Sequence, residues 1–251
     1  MLKLLKYDWK RNANGLLATA VILLVVEVML IVIGQWNNWH EGLIYGLGVA
    51  GLIGAGVKLF ITMWKTYDTN ITAYNRRLLP VSALSTIFSP LLFGVAAFLV
   101  LLIAIFVHGM IFSSIIDLDL NIYSILKEES LGILKGLLII TMMMLYFSVT
   151  VLFSITVARS IRSKSGGIWL GIGVFFLIHV VVTWLEDILF PSSSSSIVEG
   201  SATIDDTSMD YFLTYDLGIN DLQMWGTTLI EAGVAALLVY LMIKLLNKKL
   251  Q

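Results

Sequence analysis

Six long, almost continuously apolar stretches alternate with shorter polar segments along the chain. A helix of about 20 residues, rising about 1.5 Å per residue, crosses the roughly 30 Å hydrocarbon core of a bilayer. The predicted membrane spans are residues 15–33, 42–63, 91–112, 131–157, 168–185 and 222–243. The pattern therefore predicts an all-α, polytopic membrane protein with one transmembrane domain over residues 1–251.

Residues 1–12 precede the first span and combine an apolar stripe with a basic one. Leu2, Leu5 and Trp9 recur at helical spacing, and three lysines repeat this spacing one position further on, at Lys3, Lys6 and Lys10. Such a pattern is typical of a helix that lies flat among lipid headgroups. The sequence therefore predicts an amphipathic interfacial helix before span one, with a plain basic lead-in to that span as the alternative.

The composition supports the same class. Hydrophobic residues make up 58% of the chain and charged residues 13%, whereas soluble domains carry about 25% charged residues. The chain has no cysteine, its three histidines lack metal-ligand spacing, and it contains no phosphate-binding loop for ATP. A net charge of −1 gives no overall field that would attract nucleic acid. We therefore expect the lipid bilayer as a partner, and no nucleic acid, metal or cofactor on this chain.

Basic residues are unevenly distributed between the two sides of the predicted bundle. All lysines and arginines except Lys58, Lys127 and Lys135 fall on one side, and in membrane proteins the basic side is the cytoplasmic one. We therefore expect both termini and the loop 64–90 in the cytoplasm, and the acidic, serine-rich loop 186–221 outside. The expected location is the plasma membrane of the cell.

The loop 64–90 is the one long polar interruption that also carries positive charge. Within it, two arginines are followed by the run Leu78–Ser82. Pro80 disfavours helical geometry at Leu79, and the hydroxyl of Ser82 suits the start of the next helix. Apolar residues beside basic ones indicate a docking surface, and an ordinary loop at the lipid surface is the alternative. The candidate docking residues are Asn75, Arg76, Arg77, Leu78, Leu79, Pro80, Val81 and Ser82.

Three features together resemble the permease subunits of ABC-2-type ATP-binding-cassette transporters. They are the basic amphipathic start, the six spans with both ends inside, and the Leu-Pro-Val-Ser sequence at residues 79–82, before span three. The resemblance implies that residues 75–85 act as a coupling helix on a separate ATPase subunit, which would bind ATP and Mg²⁺. It also implies that two permease chains, identical or different, pair through spans one and five. The long loop 186–221 departs from the short re-entrant helices that are frequent in this family.

Ionisable residues inside the predicted spans form a second group of candidates, because charges at membrane depth are costly and usually face a partner or a cavity. These candidates are Glu27, Lys135, His179 and Glu231. We expect at least one of the two carboxylates to pair with Lys135. The alternatives are carboxylates that line a path for cationic cargo, or that bond to a neighbouring hydroxyl. His179 is expected to pack between helices, with a proton relay as its alternative role.

The resemblance implies that the chain moves cargo outward when the ATPase subunits close on ATP, without covalent chemistry of its own. Amphipathic or antimicrobial peptides are the expected cargo, with lipids or small drugs as alternatives. A membrane enzyme is disfavoured because the six spans contain no aspartate and only one deep histidine, His179. A membrane sensor or scaffold that transports nothing is the remaining alternative.

Overall fold

A computed structural model describes residues 2–72, 82–115, 130–161, 164–190 and 221–250. These residues contain six α-helices and no β-strand, which confirms the predicted all-α class. The helices are α1 (Leu2–Trp36), α2 (Glu41–Thr72), α3 (Ala83–Ile115), α4 (Ser130–Ser160), α5 (Lys164–Leu189) and α6 (Asp221–Leu250). Each of them is long and apolar enough to cross a membrane.

The structure differs from the prediction at the start of the chain, where α1 is continuous from Leu2 to Trp36. The predicted interfacial helix 1–12 and span one are therefore a single helix. No proline interrupts this stretch, and a lone helical glycine such as Gly15 costs only about 1 kcal/mol. Because Asp8 is buried, one face of this segment packs against other helices.

The polar links between the helices are shorter than predicted. α2 runs on to Thr72 and α3 begins at Ala83, so most of the predicted loop 64–90 is helical and residues 73–81 lie outside the described part. In the same way, α5 and α6 extend into the two ends of the predicted outer loop 186–221.

Hydrogen bonds and close contacts bring the starts of α1, α3 and α5 together with the ends of α2, α4 and α6. Every described lysine and arginine except Lys58 and Lys135 lies in or near these helix ends. We call this side of the bundle the basic end. The charge asymmetry that the sequence predicted is therefore present among the described residues.

The bundle consists of two half-bundles. In the first half, α1, α2 and α3 pack against one another, and in the second half α4 packs against both α5 and α6. The two halves meet where α2 packs on α4 and where α3 packs on α6. The most apolar segment of α1 contains no buried residue, so this helix presents a long face to the surroundings of the bundle.

The main buried cluster lies in the half of the bundle nearest the basic end. Its most deeply buried side chains come from α2, α3, α4 and α6 and are Tyr67, Ile87, Phe93, Leu152 and Met242. Lipid tails are as apolar as these side chains, so close packing between helices, more than the hydrophobic effect, stabilises such a cluster in a membrane. The basic end is therefore the tightly packed end of the molecule.

Candidate functional site

Asp8 of α1 is completely buried at the basic end, with an exposed fraction of 0%. Its Oδ2 atom accepts a hydrogen bond from Ser89 Oγ of α3 at 2.6 Å and another from Asn70 Nδ2 of α2 at 3.0 Å. Its Oδ1 atom lies 3.6 Å from Nη2 of Arg11. A carboxylate can be buried only when such partners replace its water. Asp8 thus connects α1, the end of α2 and the start of α3.

Two further side chains of α1 reach the end of α2 beside Asp8. Asn12 Nδ2 donates a hydrogen bond to Oγ1 of the buried Thr66 at 2.9 Å. Arg11 Nη2 donates to the carbonyl oxygen of Thr66 at 3.4 Å. We call the residues of this cluster the polar network; they are Asp8, Arg11, Asn12, Thr66, Asn70 and Ser89.

Two neighbouring residues of α2, Tyr67 and Asp68, connect the polar network to the second half-bundle. The Tyr67 hydroxyl lies 2.5 Å from Thr156 Oγ1 of α4 and 3.7 Å from Met242 Sδ of α6. Both carboxylate oxygens of Asp68 accept hydrogen bonds from Arg159 of α4, one from Nε and one from Nη2, each at 2.7 Å. This two-pronged arrangement is the strongest geometry for a guanidinium and a carboxylate. These contacts join the end of α2 to α4 and α6.

The polar network includes residues from the end of α2 and the start of α3, the two helix ends that flank the predicted docking loop. The candidates from Asn75 to Val81 lie outside the described residues, so their docking role stays a prediction. Ser82 is described, and its Oγ accepts a hydrogen bond from the backbone N–H of Ser85 at 3.2 Å. Ser82 is therefore the N-cap of α3, in agreement with its predicted position at a helix start.

Glu27 contacts a residue that the sequence analysis did not select. Its Oε1 atom lies 2.5 Å from Nδ1 of His108 on α3, and the exposed fractions of the two side chains are 17% and 4%. The imidazole stacks on Tyr45 of α2 with ring centroids 6.0 Å apart. It also occupies the space beside Gly48, where a Cβ atom would lie 2.6 Å from the imidazole Cε1. This contact is thus a second polar connection between α1 and α3 of the first half-bundle, away from the basic end.

The other embedded carboxylate, Glu231 of α6, lies in the neighbourhood of Glu186 of α5. Glu186 was predicted to begin an outer loop, because the predicted fifth span stopped one residue earlier. In the structure α5 continues past it to Leu189. Lys135 is half-buried near the start of α4, and its pairing with one of the candidate carboxylates stays a prediction.

His179 of α5 packs inside an aromatic cluster. Its ring centroid lies 4.6 Å from that of Phe175, 5.5 Å from that of Tyr146 and 6.2 Å from that of Phe147. Its Nε2 atom is buried and has no hydrogen-bond partner among the described residues. These contacts favour the predicted role of a packing residue between α4 and α5.

The residues at the centre of the polar network, Asp8, Asn70 and Ser89, were not among the candidates predicted from the sequence. The sequence does contain one indication of this cluster. Asp8 is the only acidic residue among residues 1–12, which are otherwise apolar, basic or neutral. A carboxylate in a basic segment that borders a membrane needs a partner. The partner's identity depends on contacts between helices, which spacing along the chain does not reveal.

The arrangement defines a class of protein: an all-helical, multi-pass membrane protein whose basic end is held together by buried polar side chains. No family model matches the chain, and no curated protein or solved structure matches it either.

Proposed function

We propose that the chain is the membrane-spanning subunit of an ATP-driven exporter, in which the loop between α2 and α3 docks on a separate ATP-hydrolysing subunit. The observation that carries this proposal is that Asp8 binds Asn70 and Ser89 together. Asn70 lies near the end of α2 and Ser89 lies near the start of α3. One buried carboxylate therefore fixes both helices from which the loop extends, so a force on the loop moves the helices with it.

The contacts of Tyr67 and Asp68 carry such a movement further. These residues lie within about two helical turns of Thr72, where α2 ends. Asp68 holds Arg159 of α4 through two hydrogen bonds. Movement of the loop would therefore change how the two half-bundles pack against each other. Transport of this kind needs two alternative packings of the same helices and no covalent chemistry on this chain.

The distribution of charge supports the orientation that this proposal needs. Lysines and arginines are concentrated at the basic end, and such residues are enriched on the cytoplasmic side of membrane proteins. The loop would then lie in the cytoplasm of the cell, where ATP is present. In this proposal ATP and Mg²⁺ bind to the partner subunit, and a second permease chain completes the transporter.

Outward transport of amphipathic or antimicrobial peptides is the part of the proposal that rests on the family resemblance, with lipids or small drugs as alternative cargo. A path for peptides would be lined by both permease chains. The apolar face of α1, on which Val21, Leu24 and Val28 are all about half exposed or more, is open to contact with lipid or with a second chain. A sensor or scaffold would need no such path.

Co-purification tests the docking proposal. The tagged chain is expected to retain an ATP-hydrolysing subunit, and the double substitution Arg76→Glu and Arg77→Glu is expected to release it because the loop changes charge sign. Lys244→Glu is the matched control, since Lys244 is an exposed lysine of α6 near the basic end. Retention of the ATPase by the double variant, or its equal loss from the control, would contradict docking at this loop.

ATP-dependent uptake of a fluorescent peptide into inverted membrane vesicles separates a transporter from a scaffold. The wild-type complex is expected to accumulate peptide only when ATP is present. Glu27→Gln and Glu231→Gln then show whether either carboxylate takes part in transport. A complex that binds the ATPase but moves neither peptides, lipids nor small drugs would support the scaffold.

A further inference from the structure

A large groove lies between α2, α4 and α5 near the basic end. Its cavity volume is about 810 Å³, which is within the range of about 300–1,000 Å³ that is common for small-molecule sites. α4 packs against both α2 and α5 and so lies between these two helices. Ile168 and Phe176 of α5 line the groove and are each 61% exposed, so the groove opens towards the surroundings of the bundle at membrane level.

The groove is apolar over most of its length and charged at one end. Aromatic side chains line its deeper part, and neighbouring rings of Trp64, Phe147 and Phe175 have centroids 5.9 and 5.8 Å apart. The charged residues Lys65, Asp68 and Arg159 line it at the basic end. Along α4, Phe147 and Arg159 are separated by about 18 Å at a rise of 1.5 Å per residue. This length is close to the roughly 15 Å of hydrocarbon in one leaflet of a bilayer.

The charged end of the groove favours an anion. Asp68 uses both of its carboxylate oxygens to bind Arg159, so this pair is neutral overall. Lys65 lines the same end of the groove, and no carboxylate in the described part of the chain forms an ion pair with it. The three side chains together therefore carry one excess positive charge. Lysine binds phosphate as a point charge, and clustered basic residues next to a membrane attract anionic headgroups.

We propose that this groove binds one anionic phospholipid from the leaflet at the basic end. The phosphate lies at Lys65, beside the ion pair of Asp68 and Arg159, and an acyl chain runs along the aromatic side chains of α4 and α5. The opening between α2 and α5 lets the lipid enter sideways from the bilayer. The site depends on no ATPase subunit and no cargo, so it goes beyond the proposed transport function.

The test uses the purified full chain in detergent with phosphatidylglycerol and phosphatidylcholine of the same acyl chains, and native mass spectrometry counts the bound lipids. The wild-type chain is expected to retain one phosphatidylglycerol at concentrations where phosphatidylcholine has dissociated. Lys65→Gln is expected to weaken this binding several-fold. Lys244→Gln is the control for loosely associated lipid, because Lys244 is exposed near the same end but lies outside the groove.

Filling the groove tests the position of the acyl chain. Ile172→Trp adds a large side chain to the groove lining, and it is expected to abolish retention of phosphatidylglycerol. Leu177→Trp places the same side chain on an exposed part of α5 that does not line the groove, and it is expected to leave retention unchanged. Thermal unfolding in phosphatidylcholine confirms that each variant is folded.

Three outcomes would overturn the proposal. The first is equal retention of the two lipids by the wild-type chain, and the second is equal loss of phosphatidylglycerol from the Lys65 and Lys244 variants. The third is unchanged retention when Ile172 is replaced by tryptophan in a folded chain.

Discussion

The hydroxyl of Ser89 donates a hydrogen bond of 2.6 Å to the carboxylate of Asp8, across 81 positions of the sequence. The same carboxylate oxygen accepts a bond from Asn70, so three helices of the first half-bundle meet at one buried charge. Two of these helices flank the proposed docking loop, so the proposed function predicts that this contact both stabilises the bundle and couples the loop to it.

Replacing Asp8 by alanine is expected to lower the free energy of unfolding. The side chains of Asn70 and Ser89 would lose their acceptor while remaining buried, and an unsatisfied buried polar group costs about 1–3 kcal/mol. Denaturant unfolding in mixed micelles measures the change. Asp187→Ala, at an exposed aspartate of α5, is the matched control, and an equal effect of the two substitutions would refute the role of Asp8.

The contact between Glu27 and His108 predicts a non-additive pair of substitutions. A buried polar group that loses its partner costs about 1–3 kcal/mol, whereas replacing both partners by apolar residues of similar size can be nearly neutral. Glu27→Leu and His108→Leu are therefore each expected to destabilise the chain, and the double variant is expected to recover most of the loss. If the losses simply add, the two side chains do not interact.

The ion pair between Asp68 and Arg159 is expected to contribute little to stability, because the two side chains are 32% and 49% exposed. Solvent-exposed pairs of this kind contribute about 0.2–1 kcal/mol. A double-mutant cycle with Asp68→Asn and Arg159→Gln measures this coupling energy. The charge-reversed pair Asp68→Arg with Arg159→Asp is expected to be more stable than either single reversal. A cycle energy of zero would show that the pair does not hold α2 to α4.

Close packing of α4 on α5 predicts different effects for two glycines of α5. A Cβ atom at Gly167 would clash with the carbonyl oxygen of Ala158, whereas one at Gly173 would meet no atom within 4 Å. Gly167→Ala is therefore expected to separate the helices and cost about 1–3 kcal/mol, as overpacking does. Gly173→Ala is expected to be neutral or slightly stabilising. Equal unfolding energies for the two variants would contradict this packing.

The number and type of the helices could be predicted from the sequence because each apolar stretch is long enough to cross a bilayer without help from its neighbours. The continuity of residues 1–12 with the first span, and their packing against other helices, could not be predicted from the sequence. An amphipathic pattern shows that one face of a helix is polar, but it does not show whether that face meets lipid headgroups or other helices. In this chain the face contains Asp8, whose partners lie 62 and 81 positions away, and α1 continues without a break.

The candidate site could be predicted only in part, because its contacts join residues that are far apart in the sequence. Glu27 and His179 were selected because charged or titratable groups at membrane depth are rare, and this reasoning identifies residues but not their partners. The contact of Glu27 with His108 depends on the packing of α1 against α3. Ser82 could be placed at the start of α3 from local rules alone, because a helix cap involves only its near neighbours.

Docking of an ATPase subunit on the loop between α2 and α3 is tested most directly by site-specific photo-crosslinking in cells. A photoreactive amino acid at Leu79 is predicted to form an adduct with a protein that binds ATP through a phosphate-binding loop. The same amino acid at Trp36, which is exposed at the opposite end of α1, is predicted to form none. Because the chain has no cysteine, Asn75→Cys can also be labelled uniquely with a membrane-impermeant maleimide. The absence of the Leu79 adduct, or labelling of this cysteine from outside intact cells, would contradict the proposed function.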